Sequence, residues 1–145
     1  EEWIVRSALT RQYFQIPLGS SLKQLFIGSF TLRSLRRFEL SELNELENVN
    51  IGWNSFTRCN NEDMNRTPGG FFLIEQCPRL KTIEIGEYSF SDFEHFTINH
   101  LPALETIHIE GSSFYYASSI VFNGTDKEKS QRRKGFLNRR TSAIC

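Results

Sequence analysis

Cysteine is scarce in this chain: three residues, Cys59, Cys77 and Cys145, are spread over 145 positions. A disulfide framework or a zinc site needs closer sets, so neither is expected. Methionine occurs once, tryptophan twice and histidine three times. No apolar run approaches the roughly 18 residues of a membrane-spanning helix. No loop is built to cradle phosphate, since Thr67-Pro68-Gly69-Gly70 lacks a following Lys-Ser/Thr and reads as a turn. No long stretch carries apolar residues at a period of 3.6, which predicts little helix. The sequence opens on Glu1 and reads as a processed end or a cut through a longer protein, so it assigns no compartment.

Net charge is lacking too, with 17 basic against 17 acidic residues, but the balance hides an asymmetry. From Asp126 onward there are seven basic and two acidic residues, so that tail carries +5 and residues 1–125 carry −5. The tail has no apolar side chain before Phe136 and is expected to be disordered or loosely helical.

What the chain does have is repetition and phenylalanine, 13 of them. Leu22-Lys-Gln-Leu-Phe-Ile-Gly28, Leu46-Glu-Asn-Val-Asn-Ile-Gly52, Leu80-Lys-Thr-Ile-Glu-Ile-Gly86 and Leu104-Glu-Thr-Ile-His-Ile-Glu110 share one frame. The first two and the last two start 24 residues apart; Leu46 to Leu80 is 34, which is 24 plus a ten-residue insertion. With the insertion placed between Phe56 and Phe72, unit positions 1, 4, 6, 11, 17, 19 and 22 hold apolar residues at 27 of 28 places, the exception being Thr125. A composition of 39% apolar would fill about 11, so chance is excluded.

Leu-x-x-Ile-x-Ile alternates at period two and predicts a short strand. Phe38-Glu-Leu40, Phe72-Leu-Ile74, Phe96-Thr-Ile98 and Ile120-Val-Phe122 alternate likewise and predict a second extended segment per unit. Pro78 and Pro102 fall just before the next unit, where a missing N–H costs least. Such units bury their apolar face only by stacking on one another. Residues 22–125 are therefore read as four repeats, with residues 57–70 as a polar surface loop closing in Pro68-Gly69-Gly70. Residues 1–21 read as a degenerate or truncated repeat, with Trp3 at the place of Ile27 and Phe14 and Ile16 at those of Phe38 and Leu40.

Leu46-x-x-Val-x-Ile-x-x-Asn54-x-Phe56 resembles the leucine-rich-repeat motif, with Asn54 where that family keeps its backbone-capping asparagine. Phe30, Tyr88 and Ser112 take that place in the other units, and with Tyr88-Ser-Phe90 and Ser112-Ser-Phe114 the pattern is similar to the irregular BspA-like class. The resemblance covers residues 22–122. It implies a mainly β, right-handed solenoid with short parallel strands on a concave side, little helix, and a role in protein–protein interaction.

Candidate chemistry is thin. His95, His100 and His108 have no converging nucleophile or ligand set and read as surface histidines. Cys77 occupies the position of Leu43 and Leu101 and reads as a small buried hydrophobe, Cys59 as a free loop thiol. Sequons at Asn65 and Asn123 match the number chance supplies, with Asn65 the better placed acceptor. The chain is therefore read as non-catalytic, without metal, cofactor or small-molecule substrate. Nucleic acid or anionic membrane would be reached only through Arg132-Arg133-Lys134 and Arg139-Arg140 of the tail.

By strand alternation, positions 2, 3 and 5 point outward. With the turn residues Trp53, Glu87 and Glu110 they present five acidic against two basic groups. The residues expected to meet a partner are Phe26, Asn50, Trp53, Lys81, Glu84, Glu105 and His108, and the partner expected is another protein with a basic surface. Trp53 reads either as an exposed anchor or as packing over the edge of its unit. The alternative is a structural or surface-coat role with no specific ligand. Four strands at about 4.8 Å spacing span only roughly 15–20 Å, less than a standard interface needs, which points to a longer parent array.

Overall fold

The computed structural model describes residues 2–5, 14, 16, 20–57 and 69–124, and these contain nine strands and no helix. The strands are β1 (Glu2–Val5), β2 (Gln24–Ile27), β3 (Arg37–Ser41), β4 (Asn48–Ile51) and β5 (Phe71–Glu75), then β6 (Thr82–Ile85), β7 (His95–Asn99), β8 (Thr106–Ile109) and β9 (Ser119–Asn123). They form two sheets, β1-β2-β4-β6-β8 and β3-β5-β7-β9, and all pairings within them are parallel. From β2 onward the chain alternates between the sheets, so each unit gives one strand to each.

The register follows the apolar frame. Leu25, Val49, Ile83 and Ile107 are successive partners in the first sheet, and Phe38, Phe72, Phe96 and Ile120 in the second. Insertion residues 57–70 leave this untouched, because β5 pairs with β3 and β7 as a 24-residue spacing demands. The first unit departs from expectation. Phe14 does bridge Phe38, but Trp3 pairs with Leu25 rather than Ile27. Eleven positions separate Trp3 from Phe14 where 13 separate Leu25 from Phe38, so the first turn is two residues shorter and the strand slides by that amount. A shift of two keeps the period-two phase of the pairing, where a shift of one would reverse it.

Between the sheets lies a phenylalanine core. Phe14, Phe38, Phe72 and Phe96 form one stacked column, with successive centroids 5.6, 5.0 and 4.8 Å apart. Phe56, Phe90 and Phe114 form a second, at 4.4 and 5.0 Å. The columns meet edge to face, as in Phe72–Phe90 at 5.1 Å and Phe96–Phe114 at 4.7 Å. Both arrangements are the favourable ones for aromatic quadrupoles and add about 0.5–1.5 kcal/mol per pair to the burial of the rings.

The turns are as regular as the strands. Among the described residues eleven non-glycine residues have positive φ, and with Gly124 they fall at three unit positions. Position 9 holds Phe30, Asn54, Tyr88 and Ser112; position 11 holds Leu32, Phe56, Phe90 and Phe114; position 21 holds Glu42, Gln76, His100 and Gly124. Each left-handed residue turns the chain sharply at a cost of about 1–2 kcal/mol outside glycine. Hydrogen bonds between units offset it. Phe30 N–H donates to Trp53 O, Asn54 N–H to Glu87 O and Tyr88 N–H to Gly111 O, at 2.8–3.1 Å. Phe56, Phe90 and Phe114 N–H donate the other way, to Thr31 O, Ser55 O and Ser89 O.

A serine ladder completes the corner. The Ser55, Ser89 and Ser113 hydroxyls donate to Gly28 O, Gly52 O and Gly86 O at 2.8, 2.7 and 2.9 Å. The same three serine hydroxyl oxygens accept from the N–H groups of Thr31, Ser55 and Ser89. Asn54, by contrast, has its Oδ1 buried without a hydrogen-bond partner. The capping task expected of Asn54 is performed by the hydroxyl one residue later.

Candidate protein-binding face

The alternation of the first sheet sends Leu25, Ile27 and their equivalents inward and leaves a row of outward side chains. Phe26, Asn50, Glu84 and His108 are successive partners in that row, so four of the seven expected binding residues stand side by side. Phe26 and Asn50 are half-buried, Glu84 and His108 exposed. Asn50 Nδ2 donates to Glu84 Oε2 at 2.6 Å, and His108 Nε2 lies 3.9 Å from Glu110 Oε1.

Lys81 and Glu105 lie elsewhere, at unit position 2, ahead of the strands. There Lys23, Glu47, Lys81 and Glu105 alternate in sign along a line of hydrogen bonds, each of the last three donating its N–H to the carbonyl before it. Lys81 Nζ reaches Glu47 Oε2 at 3.2 Å, and Arg79 adds contacts to Glu45 at 2.8 Å and Glu47 at 4.0 Å. The hydrogen bond and charge of Lys81 hold the Glu47 carboxyl below its ordinary value of 4.5. The acid-over-base count read from the sequence is thus too high at this end of the strands: Glu47 is neutralised, and Arg79, on the preceding turn, belongs in the sum. Three further carboxylates, Glu84, Glu87 and Glu110, lie towards the opposite end, while Glu105 stays exposed at this one.

Trp53 stands at that same end. Its ring meets Phe30 edge to face, centroids 4.2 Å apart, and both remain half-exposed, at 50% and 49%. Trp53 therefore packs on one side and faces solvent on the other. Gly86 makes room for this corner, since a Cβ there would stand 2.7 Å from Trp53 N. Phe30 was not singled out from the sequence; its partner lies a unit away and one position off, at 8 instead of 9. A second exposed pair, Tyr115 and Tyr116 with centroids 4.9 Å apart, follows Phe114 at positions outside the apolar frame.

The remaining candidates stay apart. His95, His100 and His108 are exposed on separate elements, and Cys77 is buried. Among the described residues no three His, Cys, Asp or Glu side chains gather closely enough to hold a metal ion. Cys59, Cys145, Asn65, most of the insertion and the basic tail lie outside the described residues; Asn123 is exposed at the end of β9. No family model, curated protein or solved structure matches this chain.

Proposed function

We propose that this chain is a non-catalytic protein-interaction segment, built as a leucine-rich-repeat-type right-handed solenoid of phenylalanine-rich, BspA-like units. The two parallel sheets fed alternately by each unit support that architecture, and parallel crossover connections are right-handed in about 98% of cases. One observation carries the functional part: Phe30 and Trp53 hold two large aromatic surfaces half in solvent beside an outward row of polar side chains. Exposed aromatics braced by a rigid scaffold are the usual anchors of protein interfaces. The partner in this reading is another protein with a basic surface.

The test is affinity capture with the wild-type chain, with Phe30→Ala/Trp53→Ala, and with Thr97→Ala on the second sheet as control. The expected outcome is a captured protein lost with the aromatic variant and kept by the control. Capture that is indifferent to both changes, or no specific capture, removes the reading and leaves a purely structural role.

A further inference from the structure

Two neighbouring rows of the first sheet's exposed end change character in the same direction. The strand row runs Phe26, Asn50, Glu84, His108. The corner row runs Phe30, Trp53, Glu87, Glu110, and hydrogen bonds between units set its order, the last of them to a side chain. Phe30 N–H bonds Trp53 O at 3.0 Å, Asn54 N–H bonds Glu87 O at 2.8 Å, and Glu87 N–H bonds Glu110 Oε2 at 3.0 Å. The corner row is aromatic over the first two units and acidic over the third and fourth; the strand row parallels it at Phe26 and Glu84, with the polar Asn50 between them and His108 beyond. The opposite ends of these strands offer no such gradient, because Lys81 and Arg79 pair with Glu47 and Glu45 there.

Resting on the interaction reading above, we propose that this corner binds an extended basic peptide segment carrying one apolar anchor at one end and arginines at the other. The anchor seats against Phe26, Phe30 and Trp53. The cationic end meets Glu84, Glu87 and Glu110, whose exposure keeps the desolvation cost of pairing low. Guanidinium suits the site because its planar fork bonds carboxylates bidentately. The pitch sets the spacing. Two units at about 4.8 Å each separate the aromatic from the acidic end, and an extended peptide covers that in about three residues. Acidic surfaces such as nucleic acid or anionic lipid are disfavoured at this corner by like charge.

Fluorescein-labelled Leu-Gly-Gly-Arg-Arg, Ala-Gly-Gly-Arg-Arg and Leu-Gly-Gly-Gln-Gln, titrated against the whole chain at low salt, test the proposal. Loss of either the leucine or the arginines is expected to weaken binding about tenfold, the scale of one good anchor. Glu84→Gln/Glu87→Gln should abolish the arginine preference and keep the leucine preference; Phe30→Ala/Trp53→Ala should do the reverse. Equal binding of the three peptides, absence of saturable binding at millimolar concentration, or both preferences surviving in both variants overturns it. If that happens while a protein is still captured through Phe30 and Trp53, the interaction reading stands and only the graded ligand falls.

Discussion

The ring of Phe56 lies parallel to that of Phe90, 34 residues further on, with centroids 4.4 Å apart and planes 11° from parallel. Phe90 also packs edge to face on Phe38, Phe72 and Phe93 and stacks on Phe114, which makes it a junction of the two columns. Phe90→Ala is expected to cost about 3–5 kcal/mol, the range for truncating a fully buried phenylalanine. Phe90→Leu should cost less, because Leu32 holds the equivalent position in the first unit. Urea unfolding with matched m-values checks both; a loss below about 1 kcal/mol for the alanine variant would show that the columns are not continuous.

Ser89 is fully buried and makes both contacts of its rung, donating to Gly52 O and accepting from Ser55 N–H. Ser89→Ala would leave a part-buried carbonyl and a buried amide short of a partner. The expected loss is about 1–3 kcal/mol. Ser89→Thr keeps a hydroxyl at a unit position that accommodates threonine as Thr31, although the Thr31 hydroxyl bonds Gly28 O within its own unit at 2.7 Å, so it should retain part of that stability. Hydrogen exchange at Ser55 N–H is the local readout, and it should accelerate only in the alanine variant.

How much of this was legible beforehand depended on which residues carry the information. Leu25, Ile27, Phe38 and Leu40 recur with their equivalents at a fixed spacing, and burial acts on that spacing directly, so strands and register could be read. The capping rung could not, because Ser55 and Ser89 look like ordinary turn residues until the αL corner aims their hydroxyls at the unit before. The expectation that Asn54 caps failed for the same reason. The candidate binding face was half legible. Phe26, Asn50, Glu84 and His108 fall in one row because period-two alternation puts them there. Phe30 meets Trp53 only through the path of the corner, and Arg79 reaches Glu45 and Glu47 from a turn, where no periodicity operates.

The molecule contains its own stabilising substitution. Pro78 and Pro102 occupy the second place of turns closed by Leu80 N–H to Cys77 O and Leu104 N–H to Leu101 O, both 3.2 Å. The first unit closes the same turn, Leu46 N–H to Leu43 O at 3.2 Å, with Asn44 exposed in the proline position. Proline favours that place in a turn and removes freedom from the unfolded chain. Asn44→Pro should therefore raise stability by about 0.4–1 kcal/mol. A destabilised variant would show that the first turn differs in backbone conformation from its two repeats.

Glu47 supplies a pH dependence of defined sign. Lys81 lowers its carboxyl in the folded chain, so on acidification the unfolded chain takes up the proton first. The stabilisation is present above pH 4.5 and is lost as pH falls through the lower folded value. Urea midpoints of the wild type and Glu47→Gln should differ near neutrality and converge in acid. A gap that persists unchanged into strong acid would assign the effect to packing instead of charge.

Cys77 tests the same linkage from the basic side. It is fully buried at the position of Leu43 and Leu101, and its Sγ donates to Glu75 O at 3.3 Å. Burial pushes the thiol up to about 11 from an ordinary 9.0, with the Glu75 charge acting in the same direction. The folded chain therefore keeps this proton at a pH where the unfolded chain has released it. Stability should fall as pH rises from 9.0 towards about 11, and Cys77→Val should remove that slope. In a Cys59→Ser/Cys145→Ser background, iodoacetamide below that window should modify Cys77 only as fast as the chain opens, and much faster once urea unfolds it. Rapid labelling of the folded chain would mean that the thiol reaches solvent, and that the column of Leu43, Cys77 and Leu101 is open at its centre.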